Sequence, residues 1–300
     1  MIDRRQFIYS VGSAALAATV PLEVYALGKM ALPRRAIPGS DETLAIVGLG
    51  NARVFYQGVM ETSRELIRVF LEHGGSYVDT GWDARMTVGK IMHENNAHEQ
   101  LFLGTYIEGE DLPSMRAEIR RILDVQGGES LDLVQVMAVE DFSQRRNQFA
   151  ALKEEGLTRY LGVARYAKQF YPPMMKLMEG GALDFIQINY SMMEPEAAND
   201  ILPLAQETGT TVITNRPFIN GKYFGLVSDQ KLPEWAAEFD CHSWAQFSLK
   251  YILAHPTVNC VLTETSNPEH AVDNLGAGFG RLPDIGQRQR MEAVIRALTA

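Results

Sequence analysis

Three hundred residues, 46% of them hydrophobic and 22% charged, suffice for one large domain with a substantial core or for two small ones. A formal net charge of -9 argues against nucleic acid as a partner, because phosphate binding needs Lys and Arg clustered on one face. The acidic balance otherwise indicates only a soluble protein.

The chain begins MIDRRQFIYSVGSAALAATVPLEVYALG. Arg4-Arg5 precede Phe7 and a weakly apolar run from Ile8 to Val20 that is too short to span a bilayer. Val24 and Ala26 are small residues at the two positions a signal peptidase reads, so cleavage after Ala26 is expected. The DRRQFI string resembles a twin-arginine export signal, which implies the twin-arginine export machinery as a partner and a periplasmic protein. An uncleaved segment would instead anchor the chain in the membrane, and a frayed amphipathic helix is the structural alternative. Residues 1–26 are thus read as a signal and residues 27–300 as one domain.

From Thr43 onward, short apolar runs alternate with longer amphipathic ones. The strand candidates span 44–50, 76–80, 101–107, 131–139, 159–165, 184–190, 210–218 and 259–264. Between them lie helix candidates such as METSRELIRVFLEHGG, with Leu66, Val69, Phe70 and His73 on one face, and AANDILPLAQETG, which closes on a glycine stop. Ser63, Ser143 and Asn267 are read as polar caps. Nearly continuous apolar strands separated by helices mean a parallel sheet covered on both faces. Eight such units in about 260 residues fit the α/β class as a (β/α)8 TIM barrel, whose active sites gather where strands end at the C-terminal rim. Of the two cysteines, Cys260 lies in the apolar run VNCVLT, where an unpaired buried thiol is the expectation, although pairing with Cys241 is open to an exported chain.

At the strand ends the residues carry a resemblance. GGSYVDTGWD (74–83), LKEEGLTRYLGVARY (152–166), DFIQINYS (184–191) and PTVNCVLTETSNPEHAVDN (256–274), in this order and spacing, resemble the aldo-keto reductases, NAD(P)H-dependent carbonyl reductases built on this barrel. The resemblance covers almost the whole mature chain. It implies four catalytic side chains: a Tyr that protonates the carbonyl oxygen, a Lys and an Asp that tune it, and a His that orients the substrate. Asp79 matches the Asp. The segment DTGWDARMTVG after it is short and contains no Tyr, the Lys position is taken by Tyr106, and the His position by Met137. A thioether donates no hydrogen bond, so Met137 cannot replace the His. Tyr106 is read in two ways, as a phenol hydrogen-bonded to Asp79 in place of the lost ion pair, or as a relocated proton donor.

The resemblance implies nicotinamide contacts in the same residue-by-residue way. Gln187 matches the amide on the sixth strand, whereas Ala164 and Arg165 stand where a Ser-Asn pair is expected. Arg216, within Asn215-Arg216-Pro217, occupies the place of an aromatic under the ring. Thr265, Ser266, Asn267 and Asn274 match the phosphate-binding eighth unit, which opens on a helix N-terminus suited to anions. Glu264 stands where NADP-specific members carry a basic residue, so NAD is favoured over NADP, and His270 replaces an Arg.

Trp82, Asp83 and Arg85 fill the loop of the missing Tyr, with Trp82 as a pocket aromatic or as packing. Glu108, Glu140 and Asp141 are read as solvated or capping acids. The six histidines form no metal-type cluster and no Gly-x-Ser-x-Gly elbow is present. Two functional readings follow. One is an exported oxidoreductase with a bound dinucleotide and non-standard acid chemistry. The other is a catalytically inactive barrel that binds a small molecule or protein at its C-terminal rim.

Overall fold

A computed structural model describes residues 31–299, the side chain of Trp82 excepted. The export-type segment, its cleavage point after Ala26, and Trp82 as a pocket aromatic therefore lie outside the described residues.

An antiparallel hairpin comes first, β1 (Arg34–Ala36) and β2 (Thr43–Ala45), with Arg34 opposite Ala45 and Ala36 opposite Thr43. Eight strands follow: β3 (Val47–Leu49), β4 (Tyr77–Thr80), β5 (Phe102–Tyr106), β6 (Leu131–Val136), β7 (Thr158–Ala164), β8 (Phe185–Asn189), β9 (Thr211–Asn215) and β10 (Val258–Thr263). They close into a barrel in the order β10-β3-β4-β5-β6-β7-β8-β9, every neighbouring pair parallel.

Helices fill the crossovers, as parallel strands require. α1 (Arg53–Tyr56) and α2 (Met60–Glu72) follow β3, α3 (Trp82–Glu94) follows β4, and α4 (Leu112–Gln126) follows β5. After β6 come α5 (Val139–Gln144) and α6 (Arg146–Glu154), after β7 comes α7 (Tyr171–Glu179), and after β8 comes α8 (Ile201–Thr208). α9 (Lys222–Val227) and α10 (Trp244–Leu253) follow β9, and α11 (Pro268–Gly276) and α12 (Ile285–Thr299) follow β10. This is the (β/α)8 barrel that the eight apolar runs imply.

Helix starts differ from the sequence expectation at two of three positions. Ser63 lies inside α2, fully buried, and its hydroxyl donates to the Val54 carbonyl. Ser143 lies inside α5. Asn267 does cap α11, its Oδ1 accepting from the Glu269 amide at 2.9 Å. The best-defined start is that of α4, where Asp111 and Ser114 exchange side-chain to backbone bonds of 2.8 and 3.0 Å. The glycine stop of α8 is Gly209, in the left-handed region at φ 67°. Both cysteines are buried and unpaired.

The two ends of the barrel are built differently. At the N-terminal end, Ile37 and Leu44 of the hairpin pack with Tyr77, Phe102, Phe185 and Cys260, and Ser40 Oγ lies 2.7 Å from Tyr160 Oη. This apolar plug leaves the C-terminal rim as the place for a ligand. Gly104, facing inward on β5, makes room for the transition between the two: a Cβ there would come within 2.2 Å of Tyr77 Oη and 2.8 Å of Gln135 Nε2.

Candidate active site

Above the plug, inward positions of four strands bring four polar side chains together. Asp79 of β4 is 6% exposed and accepts from Gln135 Nε2 of β6 at 2.9 Å. Tyr106 of β5 donates to the other carboxyl oxygen at 3.5 Å, the outer limit of a hydrogen bond. Gln187 of β8 turns its amide toward Asp79 and the Tyr106 hydroxyl, lowering the pKa of both. Among the described residues Asp79 has no ion-pair partner closer than 4.0 Å, and burial pushes its pKa up to about 7. The three donors and the carboxylate of Glu264 act on it as smaller influences, the donors downward and Glu264 upward. Burial, reinforced by the Asp79 charge, holds the Tyr106 phenol well above its usual range. Asp79 is thus the member of this group poised to exchange a proton near neutrality.

Asp79 and Gln187 also line a rim cavity of about 850 Å³. Its other walls come from the end of β3 (Gly50, Asn51, Arg53), from Tyr166 after β7, from Asn215 to Gly221 after β9, and from Leu262 to Ser266 at the end of β10. Three amide oxygens in this wall, Asn51 Oδ1, Gln187 Oε1 and Asn215 Oδ1, are buried without a hydrogen-bond partner. Asn215 spends its NH2 on the Arg165 carbonyl at 2.9 Å, which turns its oxygen away from that carbonyl. The inner wall therefore calls for a ligand that carries N–H or O–H donors. At the mouth, exposed Arg53 and the hydroxyls of Thr265 and Ser266 supply the opposite chemistry, a cation and donors suited to an anion. Glu264 stands at the same mouth, its carboxyl raised by partial desolvation.

The edge of the cavity after β9 is strained. Arg216, Ile219 and Asn220 adopt φ of 57°, 48° and 53°, a region that costs a non-glycine residue roughly 1–3 kcal/mol. Arg216 is anchored there, with Nη2 3.3 Å from Glu194 Oε1 and Nη1 3.2 Å from Asn220 Oδ1. It lines the cavity as one half of an ion pair, not as a free guanidinium.

The sector across β4 to β6 is packed shut. α3 begins two residues after β4, with Ala84 and Val88 fully buried. Arg85, read from sequence as loop filling, is 7% exposed; it donates to the Tyr106 carbonyl and pairs with Glu118 of α4 at 2.9 Å. Glu118 in turn accepts from the amides of Glu108 and Gly109 at 2.9 and 3.0 Å. Met137 sits half-buried just beyond β6 and, like Tyr106, is not among the cavity-lining residues. Asp141 pairs with Arg145. Arg165 stacks on Phe170 with its guanidinium carbon 4.0 Å from the ring centre.

Of the residues singled out from sequence, the fold brings Asp79, Gln187, Arg216, Thr265 and Ser266 to one cavity. Tyr106 lies behind Asp79, Asn267 spends its oxygen capping α11, and Asn274 is buried within α11. Sequence reasoning passed over Gln135, Asn51, Arg53, Tyr166 and Phe218. Gln135 was within reach, because it shares the inward phase of Leu133 on β6; Arg53 and Tyr166 sit in segments with no periodic signal.

Residues 47–294 match the model of the aldo/keto reductase family. L-galactose dehydrogenase of Arabidopsis thaliana is 24% identical over 227 residues, which cover 65% of this chain and 67% of that protein. Among solved structures, the holo form of an aldo-keto reductase from Bacillus halodurans superimposes with a TM-score of 0.72 at 21% identity, over 89% of this chain and 96% of that one. An aldo-keto reductase from Klebsiella pneumoniae in complex with NADPH gives 0.71 at 17% identity, with the same coverage.

Proposed function

Because this chain belongs to the aldo/keto reductase family, we propose that it is an exported nicotinamide-dependent oxidoreductase whose dinucleotide lies in the rim cavity and whose acid chemistry dispenses with the family's Tyr. The observation that carries the reading is the unpaired, buried Gln187 Oε1 beside Asp79 on the cavity wall, an acceptor matched to the NH2 of a nicotinamide carboxamide. Asn51 and Asn215 offer further acceptors for sugar hydroxyls, and Arg53, Thr265 and Ser266 suit the phosphates at the mouth. The residues present therefore fit the group. When bound, a nicotinamide supplies or accepts hydride at a carbonyl or alcohol carbon. The chain's own part is to hold the carboxamide at Gln187, to shield the ring within the barrel mouth, and to manage a proton in the Asp79 cluster.

Glu264 supports NAD over NADP, since a carboxylate near a 2′-phosphate is repulsive. The Klebsiella relative binds NADPH, so the preference is a property to be measured on this chain. The Arg4-Arg5 segment supports export to the periplasm by the twin-arginine route, and an uncleaved segment would leave the barrel membrane-anchored. A chain exported folded would carry its dinucleotide with it. The Arabidopsis relative's name makes L-galactose the first small-molecule substrate to try.

The test is a fluorescence titration of the purified chain from Leu27 onward with NADH and NADPH. Saturable binding, tighter for NADH and loosened for NADH relative to NADPH in Glu264→Gln, is expected. No binding at millimolar dinucleotide would remove the reading. It would leave the second one, an inactive barrel that takes a small molecule or protein at its rim, which the closed β4 to β6 sector favours.

A further inference from the structure

We infer that Asp79 is itself the proton-transfer group of this site, donating to a carbonyl oxygen in reduction and accepting from an alcohol in oxidation. The inference rests on the nicotinamide reading above and assigns the proton that must balance the hydride. In oxidation the substrate O–H bond breaks and its proton passes to an Asp79 carboxylate oxygen, while the C–H bond of the same carbon breaks, its hydride passes to the oxidised nicotinamide, and the C=O bond forms. Reduction is the reverse.

Geometry separates Asp79 from the other candidate. Asp79 lines the cavity beside Gln187, the residue that would fix the reacting ring, whereas Tyr106 lies outside the lining and points its hydroxyl at Asp79. Tyr106 and Gln135 are positioning residues: they hold one carboxyl oxygen each, at 3.5 and 2.9 Å. A carboxyl so held presents a fixed face to the cavity, the condition for general acid-base work.

The surrounding charges leave the carboxyl free to change state. Tyr77 shares its strand, Tyr106 faces it from β5, and Cys260 and Glu264 face it from β10 and the loop beyond; all four are neutral or anionic. β6 and β8 contribute the amides of Gln135 and Gln187. Arg53 and Arg216 line the same cavity, and Arg216 is engaged by Glu194. Burial without an ion pair moves the carboxyl to about 7, so both protonation states are available at neutral pH.

The test uses the full mature chain labelled with carbon-13 at Asp carboxyls, with Asp79→Asn identifying the signal, together with NADH-dependent reduction of 4-nitrobenzaldehyde as a probe. Expected are an Asp79 signal titrating near neutrality and a reduction rate that is high below that pH and falls about tenfold for each pH step above it. Asp79→Asn should keep NADH binding while the rate falls about 10²–10⁴-fold, the usual worth of a general acid. Asp79→Glu should restore part of that rate. Tyr106→Phe should keep the rate within about tenfold and move the profile to higher pH, since its hydrogen bond favours the carboxylate.

An Asp79 signal that titrates in the ordinary carboxylate range would overturn the inference, as would an Asp79→Asn chain that binds NADH and reduces the aldehyde within about tenfold of the parent. Wild-type chain that binds NADH and fails to reduce the probe at about pH 6 also counts against it. Absent NADH binding, seen before any aldehyde is added, overturns the nicotinamide reading as well, so the two failures are distinct.

Discussion

The two halves of the barrel rim have been treated differently. Across β8, β9, β10 and β3 the wall is polar and concave, with amide oxygens left without partners, a strained segment anchored by an ion pair, and Arg53 with two hydroxyls at the mouth. Across β4, β5 and β6 the same fold closes on itself: α3 starts at once after β4, Ala84 and Val88 are buried, and Arg85 pairs inward with Glu118. One half turns its unmet hydrogen-bonding capacity toward a cavity, the mark of a ligand wall. The other also holds buried atoms without partners, Gln135 Oε1 and Arg85 Nε among them, but packs them behind the cavity wall. Asp79 and Gln187 sit on the seam, buried like the second half and facing the cavity of the first.

The largest effect that could break this comparison is in the closed half. Glu118→Ala leaves Arg85 buried without its ion-pair partner and removes the acceptor of the Gly109 amide, a loss on the order of 3–5 kcal/mol in denaturant unfolding. Removing both charges, as Arg85→Met with Glu118→Met, should recover much of it. NADH affinity should change less than about threefold in any of these chains, because the cavity walls lie elsewhere. If affinity falls together with stability, the two halves are one cooperative unit and the contrast between them fails.

A smaller effect sharpens the seam. Asp79 titrates at about 7 in the folded chain, above the ordinary range it recovers on unfolding. The folded state therefore holds its proton more tightly. That contribution is complete at acid pH below the unfolded value and is lost as pH rises through about 7. Asp79→Asn, neutral at every pH, should be more stable than the parent by on the order of 2–4 kcal/mol at about pH 8, with the difference gone below about pH 4. Thermal unfolding across pH measures it. A gain at pH 8 beside a loss of turnover would mean that the carboxyl is kept for chemistry at the expense of stability.

Much of the fold was legible in the sequence, and the reasons are local. Each of the eight apolar runs holds a barrel strand, because strands buried on both faces leave an unbroken apolar signature. The ends were legible less well. The run 210–218 stops as a strand at Asn215 because Arg216 turns into the left-handed region, and 131–139 stops at Val136 because α5 starts at Val139. The hairpin that plugs the barrel carried no signal. Arg34-Arg35-Ala36 lacks apolar alternation, and its pairing is fixed by guanidinium bonds to the carbonyls of Thr43 and, 218 positions along the chain, Leu253. At the site, Asp79 and Gln187 were found through motif resemblance. The Arg85 pair with Glu118 was not, since it joins two helices 33 positions apart in a way no periodicity encodes.

The smallest expected effect tests which group on the seam matters. Tyr106→Phe deletes a hydroxyl that reaches Asp79 at 3.5 Å and also meets Gln187. A bond this long contributes little, and the aromatic ring stays to fill the space, so the stability loss should be within about 1 kcal/mol. Two consequences then separate the roles of the two side chains. If Tyr106 only steadies the carboxyl, losing a donor that favours the charged form raises the Asp79 pKa slightly, and the pH at which the stability difference between Asp79→Asn and parent levels off moves up with it. If Tyr106 carries the proton itself, the stability profile shifts just as little while carbonyl reduction collapses. The phenol is held far above neutrality by burial and by the Asp79 charge, which favours the first outcome. The closed half of the rim would then contribute to the site a support for the one carboxyl that faces the cavity.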